Sequence, residues 1–389
     1  MGTSRIVPPL AASWLALGFP RCLPAAPVDS LRFALVTAGA THTCALTTGG
    51  RAYCWGDNSE GELGDGTRID SPVPVPVAGG VAFLSIDTGV ELSCGVATTL
   101  VAYCWGRNST GALGNAATPR SLVPAPVTGG ELFRTIAVGA DHACALADEG
   151  VVHCWGANEK GQLGTGDTVP SRRPLPVAGG LRFVSLTAGD AHTCGIAVDS
   201  LAYCWGSNHR GELGISGRRV RLGPRPVAHH RRWRTLSAGA HHTCGITADR
   251  HPSVFCWGDN FHEQINSRRG RAGTGVGPLS LGEPILWAPT FVALSAVVAV
   301  SAGRWHTCFA RGRATSFVVC RGANDDDQLG RLVFGSYVQI SAGDAHTCAL
   351  TKDAAIFCWG RNAAGQLGTG TRFTERAPGR VVEPEGMHP

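Results

Sequence analysis

The sequence predicts an all-β protein, a seven-bladed β-propeller whose blades have four strands each. A unit of about 50 residues returns seven times along the chain, and such a period is typical of supersecondary units that bury their faces on one another. Every unit contains two cysteines at a nearly constant interval. Glycine accounts for 53 of the 389 residues, about twice its usual share of ~7%, which favours tight turns between short strands.

The four strands of a unit can be assigned in order from the first copy. Residues 33–38 form a mostly apolar run that ends at Gly39, which predicts the first strand. Residues 43–47 and 52–55 flank a short glycine-containing turn and predict a hairpin. Residues 72–77 predict the fourth strand, and their prolines confine it to the edge of the sheet.

A glycine follows the first strand in every unit. These residues are Gly39, Gly89, Gly139, Gly189, Gly239, Gly303 and Gly343. Repetition at one position indicates a backbone requirement, either a positive φ or a close approach to the neighbouring blade, that a side chain would not tolerate.

The cysteines predict disulfides within the hairpins. Because the first turn is centred on Gly49, Cys44 faces Cys54 across an antiparallel pair, where Cα separations of about 4.5 to 5.5 Å allow a disulfide. The interval is ten residues in five units and twelve in two, and both intervals keep the cysteines facing each other. The predicted pairs are Cys44–Cys54, Cys94–Cys104, Cys144–Cys154, Cys194–Cys204, Cys244–Cys256, Cys308–Cys320 and Cys348–Cys358. Seven disulfides imply an oxidising compartment, so we expect an extracellular or cell-envelope location, and Cys22 has no partner in this scheme.

The seventh unit carries a family resemblance. Residues 342–351 read AGDAHTCALT and residues 357–368 read FCWGRNAAGQLG. This pattern resembles the repeat of the regulator of chromosome condensation family, and the resemblance covers approximately residues 31–382. It implies a seven-bladed propeller, and the cysteines suggest a disulfide-containing, exported member of bacterial type. The family includes an exchange factor for a nuclear GTPase, an ultraviolet receptor, ubiquitin-ligase modules and a secreted β-lactamase inhibitor, so the resemblance leaves the function open.

Departures from the pattern concentrate in units five and six. Unit five loses the glycines of its loop, and unit six has Arg321 in place of the repeated tryptophan. Roughly a dozen residues are gained within 267–289 and about ten are lost after unit six, so we expect blades five and six to be irregular. Units one to four carry no insertion comparable to the β-wedge of the family's exchange factor, which argues against exchange activity.

Two repeated residue types have structural and functional interpretations. His42, Cys44 and Cys54 offer metal donors, but structural zinc usually takes four ligands at short spacings, so we expect structural histidines and no metal or other cofactor. The tryptophans could stack on carbohydrate or absorb light, but their fixed strand position favours packing between blades. These tryptophans are Trp55, Trp105, Trp155, Trp205, Trp257 and Trp359. The segment 303–307, GRWHT, is a single imperfect copy of the ultraviolet receptor's motif and does not predict photoreception.

The candidate binding patch is a basic segment, residues 217–234, that contains no acidic residue. Its arginines are Arg218, Arg219, Arg221, Arg225, Arg231, Arg232 and Arg234. Such a run could bind nucleic acid, an anionic glycan or an acidic protein surface, or it could be a solvated loop in a chain that is rich in arginine throughout. A second basic cluster lies at residues 268–271, and the acidic triplet 325–327 is weak support for calcium.

The chain divides into a leader or N-terminal segment at residues 1–30, a propeller at 31–382 and a tail at 383–389. An early arginine precedes the apolar run 6–19, which two prolines interrupt, so the start resembles a secretory signal only in part. Either Pro27–Val28 or residues 380–382 should complete the ring by pairing both chain ends in one blade.

The functional prediction is a non-catalytic, exported protein-interaction propeller, because no catalytic constellation is identifiable. Guanine-nucleotide exchange or GTPase regulation is the first alternative and would require reduced thiols. Inhibition of a secreted enzyme is the second. We expect a monomer with a protein partner, without nucleic acid, and without a transmembrane span, because no run of 18 apolar residues occurs.

Overall fold

The computed structural model describes residues 31–115, 119–265, 284–294, 297–312, 317–330 and 333–383. These residues form seven antiparallel sheets of four strands, and each sheet is made of four consecutive strands. The chain is therefore an all-β, seven-bladed propeller, as the sequence predicts. The blades are numbered 1 to 7 in chain order.

Each blade runs from an inner strand beside the central axis to an outer strand at the edge. The inner strands are β1 (Phe33–Ala38), β5 (Phe83–Thr88), β9 (Phe133–Val138), β13 (Phe183–Ala188), β17 (Trp233–Ala238), β21 (Val297–Ala302) and β25 (Tyr337–Ala342). The second strands are β2 (His42–Thr47), β6 (Leu92–Ala97), β10 (His142–Ala147), β14 (His192–Ala197), β18 (His242–Thr247), β22 (His306–Arg311) and β26 (His346–Thr351).

The third strand of each blade completes the hairpin, and the fourth is the outer edge. The third strands are β3 (Ala52–Gly56), β7 (Ala102–Arg107), β11 (Val152–Gly156), β15 (Ala202–Gly206), β19 (Ser253–Asp259), β23 (Phe317–Gly322) and β27 (Ile356–Gly360). The outer strands are β4 (Ser71–Pro76), β8 (Arg120–Pro126), β12 (Ser171–Pro176), β16 (Arg221–Pro226), β20 (Ile285–Leu294), β24 (Val333–Phe334) and β28 (Glu375–Arg380). Short 3₁₀ turns occupy Asp148–Gly150 and Ala228–His230.

The two ends of a blade differ. The loops between first and second strands and between third and fourth strands lie at one end, which we call the loop rim. The hairpin turns between second and third strands and the connections between blades lie at the other end, which we call the turn rim. This follows from the strand register, in which Phe33 pairs with Thr47 at the turn rim and His42 pairs with Gly56 at the loop rim.

The ring closes by contact between blades 7 and 1. The Val36 amide donates to Gln339 Oε1 at 3.1 Å, and the Ala38 amide donates to Ser341 Oγ at 2.8 Å. The expectation of a blade shared by both chain ends is not met in the described residues, because β25 to β28 form blade 7 alone. Pro27–Val28 lies outside the described residues.

Blades 5 and 6 are irregular, as predicted. The outer strand of blade 5 is ten residues long, whereas that of blade 6 has only two. Both changes affect the outer edge, because the insertion precedes β20 and the deletion follows β23. The inner three strands retain the register of the other blades.

The hydrophobic core lies between adjacent blades. Between blades 1 and 2, for example, Leu46 and Leu63 from blade 1 pack with Phe83 and Trp105 from blade 2. The Phe83 and Trp105 rings lie 5.9 Å apart between centroids. Because every blade contributes both faces to such a core, the hairpin strands are buried along nearly their whole length, except for β23 of the irregular blade 6.

Candidate functional site

The cysteines of every predicted pair face each other within one blade. Their Cα atoms lie 4.0 to 4.1 Å apart in all seven pairs. The Thr47 amide donates to the Arg51 carbonyl, so Thr47 and Arg51 are a hydrogen-bonded pair. Hydrogen-bonded and non-hydrogen-bonded pairs alternate along an antiparallel hairpin, which makes Cys44–Cys54 a non-hydrogen-bonded pair with the shorter Cα separation. All seven pairs thus lie at disulfide distance, and none crosses between blades.

The repeated glycines form a ring around the axis at the loop rim. None of the seven has a positive φ. A Cβ atom on Gly39 would collide with the carbonyl oxygen of Gly89, and the same relation continues around the ring until Gly343 meets Gly39. Of the two expected explanations, close approach between blades is therefore the correct one. The ring surrounds a cavity of about 80 Å³, which has room for a few water molecules but not for a drug-sized ligand.

Six fully buried histidines connect their blades to the next at six of the seven boundaries. Each Nε2 lies 2.7 to 2.9 Å from a serine or threonine hydroxyl of the following blade. Because Thr193 Oγ1 donates to the Gln162 carbonyl at 3.0 Å, it accepts from His142, so His142 carries its proton on Nε2. The six histidines are His42, His142, His192, His242, His306 and His346.

Burial without a charged partner keeps these imidazoles neutral. Desolvation lowers the pKa of His142 to about 4 and that of His192 to about 3. Nδ1 of all six has no hydrogen-bond partner among the described residues. The three proposed metal donors have other partners, since His42 contacts Ser93 and Cys44 faces Cys54, and no group of three or more metal-ligating side chains is arranged for an ion in the described chain.

Blade 2 lacks the histidine, and blade 3 compensates for its absence. Leu92 occupies the histidine position, and Ala143 occupies the hydroxyl position that would have accepted its hydrogen bond. Both side chains are buried in one apolar cluster. The substitution of Leu92 was visible in the sequence, but its pairing with Ala143 follows only from the contact between blades.

The six repeated tryptophans are fully buried, in agreement with the packing interpretation. Each indole Nε1 donates to a loop carbonyl of the preceding blade at 2.7 to 3.0 Å. Neither carbohydrate stacking nor light absorption is needed to explain their repetition.

An aromatic and cationic cluster lies at the loop rim of blades 4 to 6. The Trp305 ring lies 5.5 Å from the His241 ring and 5.0 Å from the His262 ring. The guanidinium carbons of Arg210 and Arg304 lie 5.9 and 5.6 Å from the same ring, within cation–π range. Adding Phe261, which is 53% exposed, we call this set the Trp305 cluster. The sequence indicates the segment 303–307, which includes Arg304, but not the partners that blades 4 and 5 contribute.

Arg304 also connects three blades at the mouth of the channel. Its Nη1 lies 3.0 Å from Asp344 Oδ2 and 3.8 Å from Asp190 Oδ2. Burial raises the pKa of both aspartates, and the Arg304 charge offsets part of that rise. The cluster is therefore held in place by ion pairs on its axial side while Phe261 faces solvent.

The structure divides the predicted basic patch. Arg218 and Arg219 lie in the loop before β16 at the loop rim. Arg232 donates to the Asp199 carbonyl in a hairpin turn at 3.0 Å, so it lies at the turn rim. Arg231 packs over Phe255 there, at 4.1 Å. The patch is thus two surfaces separated by the length of β16, and within the described chain none of its seven arginines forms an ion pair with a carboxylate.

The other charged candidates contribute little. The basic cluster at residues 268–271 lies outside the described residues. In the acidic triplet, Asp327 forms an ion pair with Arg376 at 2.8 Å. In the described part of the chain, no helix has the length and apolar character needed to cross a membrane.

Comparison with known families agrees with the observed fold. A family model described as the RCC1-like domain matches residues 14–332, and models of the regulator of chromosome condensation repeat match residues 337–366 and 353–388. Among curated proteins, human probable E3 ubiquitin-protein ligase HERC6 is 32% identical over 152 residues, which cover 34% of this chain and 14% of that protein. The mouse regulator of chromosome condensation is 41% identical over 114 residues, which cover 24% of this chain and 26% of that protein. The matched segments thus span about a quarter or less of these relatives.

Two solved structures share the architecture over most of the chain. Human WBSCR16 superposes with a TM-score of 0.73 at 19% identity, covering 86% of this chain and 94% of that one. Yeast RCC1 (Prp20), in its complex with Kap60, superposes with a TM-score of 0.73 at 18% identity, covering 91% and 85%. At these identities the similarity establishes the fold alone.

Proposed function

Because this chain belongs to the family of RCC1-like domains, we propose that it is a non-catalytic protein-interaction propeller, exported and held by seven disulfides. One observation carries the proposal. The buried hairpins retain their cysteine pairs in all seven blades, whereas the loop rim differs from blade to blade. A rigid scaffold with variable loops at one rim suits binding, because changes there leave the core intact.

The cysteine pairs support export. In a reducing compartment the paired thiols would stay reduced and add nothing to stability. When oxidised, each closes a ring of about 11 to 13 residues, which contributes about 3 kcal/mol in the chain-entropy model. Seven such rings would stabilise each blade separately, as suits a protein that works outside the cell.

The Trp305 cluster is the proposed contact surface. Tryptophan and arginine are enriched among residues that dominate binding energy at protein interfaces. The equivalents of Trp305 in blades 1 to 3 are Thr41, Glu91 and Asp141, so the aromatic surface is particular to this part of the ring. Phe261 extends it toward solvent.

Thiol counting tests the compartment. Protein isolated from its native compartment under denaturing, non-reducing conditions should show no reactive thiol among the fourteen paired cysteines. Mass spectrometry of the unreduced digest should find the seven pairs within blades. Free thiols throughout, or bridges between blades, would contradict the proposal.

Affinity capture tests the interaction. The intact protein should retain a specific partner from the surrounding medium or envelope fraction, and W305A together with F261A should abolish retention. The control is I69A, because Ile69 is 74% exposed at the same rim in the regular blade 1. Equal retention by the double variant would refute the assigned surface, and substrate turnover lost on a single polar substitution would refute the non-catalytic role.

Regulation of a GTPase is the second candidate. It is favoured by the 41% identity to the mouse regulator of chromosome condensation and by the structure of yeast Prp20p, whose description reports binding to Gsp1p and histones. The two candidates make opposite predictions, since a GTPase regulator would contain reduced thiols and accelerate nucleotide release. Inhibition of a secreted enzyme is a special case of the first candidate and would appear as loss of that enzyme's activity on capture.

A further inference from the structure

The outer wall of blade 4 contains a groove of about 910 Å³. It is formed by β16 and the loop before it. The residues that define it are Ile215, Arg219, Val220, Arg221, Leu222 and Arg225. It therefore combines three guanidinium groups with apolar side chains.

The equivalent wall of blade 1 has a different character. When the loops are aligned on Asn58 of blade 1 and Asn208 of blade 4, Asp65 and Asp70 occupy the positions of Ile215 and Val220. In blade 1 both carboxylates accept hydrogen bonds within the loop. Asp65 accepts from the Asn58 side-chain amide at 3.1 Å, and Asp70 accepts from the Asn58 backbone amide at 3.1 Å. Blade 4 has lost both carboxylates and satisfies its loop without them.

Arginines replace neutral residues at three positions of the same wall. Blade 1 has Ile69, Ser71 and Val75 at the places taken by Arg219, Arg221 and Arg225 in blade 4. Blade 3 has Val169, Ser171 and Leu175 at these places. Arginine at these three positions therefore distinguishes blade 4 from blades 1 and 3, although the outer strand of blade 3 carries Arg172 and Arg173 at neighbouring positions.

The three guanidinium groups are available to a ligand. Arg219 and Arg225 are exposed, and Arg221 Nη1 donates to the carbonyls of Arg219 and Val220 at 3.1 and 3.3 Å, which orients the side chain. None of the three is neutralised by a carboxylate within the described residues. Such a surface is complementary to a negatively charged partner.

We propose that this groove binds an extended acidic peptide segment of the protein partner, with apolar side chains flanking its carboxylates. Arg225 lies beyond a register irregularity of β16, whereas Arg219 and Arg221 are two residues apart, so their backbones lie about 7 Å apart. Alternate side chains of an extended peptide repeat at about 7 Å, which matches this spacing. Ile215 and Leu222 also line the groove, so apolar side chains that flank the carboxylates have a contact surface there, which a polysaccharide or nucleic acid would not use.

Side chains rather than backbone carry this binding. Pro224 and Pro226 lack amide hydrogens, and the Leu222 carbonyl already accepts from the Gly166 amide at 2.8 Å, so the outer edge of β16 is a poor template for strand addition. The inference rests on the proposed interaction function, since it names the chemistry of one segment of the partner.

Direct binding of a labelled ten-residue peptide that contains aspartates two residues apart and flanking leucines tests the inference. Fluorescence anisotropy with the full chain should show saturable binding that weakens as salt increases. The variant R219I/R221S/R225V, which carries the residues of blade 1, should bind at least about tenfold more weakly, because three charge-assisted contacts are lost. Its thermal unfolding should match that of the wild type, since the same residues are accommodated in blade 1.

The matched control removes the same charge elsewhere. R32A/R173A/R250A replaces three exposed arginines of blades 1, 3 and 5 and should change peptide affinity less than twofold. If both triple variants weaken peptide binding equally, the effect is due to the net charge of the protein, and the proposed binding site is refuted. Tighter, groove-dependent binding of single-stranded DNA or a sulfated glycan would also overturn the peptide assignment.

The two proposals fail in different ways. If the partner is captured through the Trp305 cluster but the peptide does not bind, the groove is refuted and the interaction function stands. If the peptide binds and depends on the three arginines but no partner is retained, the groove stands and the interaction function is refuted.

Discussion

Two substitutions can convert one boundary between blades into another that already exists in the same ring. Between blades 3 and 4, His142 Nε2 donates to Thr193 Oγ1 at 2.9 Å. Between blades 2 and 3, Leu92 and Ala143 occupy the same two positions and form an apolar contact. The double variant H142L/T193A should therefore be tolerated better than the single variant T193A, although it changes more atoms.

The magnitudes follow from hydrogen-bond accounting. T193A leaves the buried His142 Nε2–H without an acceptor, which costs about 1 to 3 kcal/mol of unfolding free energy. H142L leaves Thr193 donating to the Gln162 carbonyl at 3.0 Å, so its cost should be about 1 kcal/mol. The double variant should lose less than the sum of the two, with a coupling energy of about 1 to 2 kcal/mol.

The same pair predicts a pH dependence with a defined sign. Burial lowers the pKa of His142 to about 4 from its ordinary 6.5. As the pH falls, His142 of the unfolded chain is therefore protonated at a higher pH than His142 of the folded chain. The free energy of unfolding is largest above pH 6.5 and decreases as the pH falls from 6.5 toward 4. At pH 5 this one histidine should cost about 2 kcal/mol relative to pH 7.5, and H142L should remove that part of the acid sensitivity.

Urea unfolding of the disulfide-intact protein at pH 7.5 and pH 5 measures both effects. The control is the reverse double variant L92H/A143T. It should add a buried histidine–threonine pair to the boundary between blades 2 and 3 and increase the loss of stability at acid pH by a similar amount. If the costs of H142L and T193A simply add up in the double variant, the assigned hydrogen bond is refuted. If H142L leaves the pH dependence of unfolding unchanged, the buried neutral imidazole is refuted.

Three further predictions concern single features of the ring. Burial raises the pKa of Glu62 from 4.5 to about 7, so the free energy of unfolding falls as the pH rises from 4.5 to 7 and the buried carboxyl loses its proton. In the same urea assay, E62Q should therefore increase the free energy of unfolding by about 3 kcal/mol at pH 8 but little at pH 5. G189A forces a Cβ against the Gly239 carbonyl and should cost about 1 to 3 kcal/mol, whereas G49A, with open space, should change thermal stability little. Replacing both Cys144 and Cys154 by alanine should cost about 3 kcal/mol in oxidised protein, and no loss would indicate that the pair is not bonded.

Much of the fold could be predicted because the determinants of each blade are local. The first strand was predicted at 33–38 and is observed at Phe33–Ala38, and the outer strand was predicted at 72–77 and is observed at Ser71–Pro76. A hairpin places residues ten positions apart opposite each other, so the facing of Cys44 and Cys54 follows from turn length alone. Repetition in seven units removes the ambiguity that a single hairpin would leave.

The candidate sites were less predictable because they join distant residues. The Trp305 cluster brings Arg210 and His262 from different blades to one ring. The basic segment shows the reverse, since it is continuous in sequence but the strand Arg221–Pro226 places its two ends at opposite rims. A charge run therefore predicts composition, whereas strand direction decides which charges share a surface.

The sequence by itself determined the blade, because turn chemistry, strand length and cysteine spacing act within about 50 residues. Only the tertiary structure decided how blades meet. A histidine reaches a hydroxyl about 50 residues further along, and Gly343 closes on Gly39 from the opposite end of the chain. The repeated residues mark these positions in the sequence, but their partners depend on the closure of the ring as a whole.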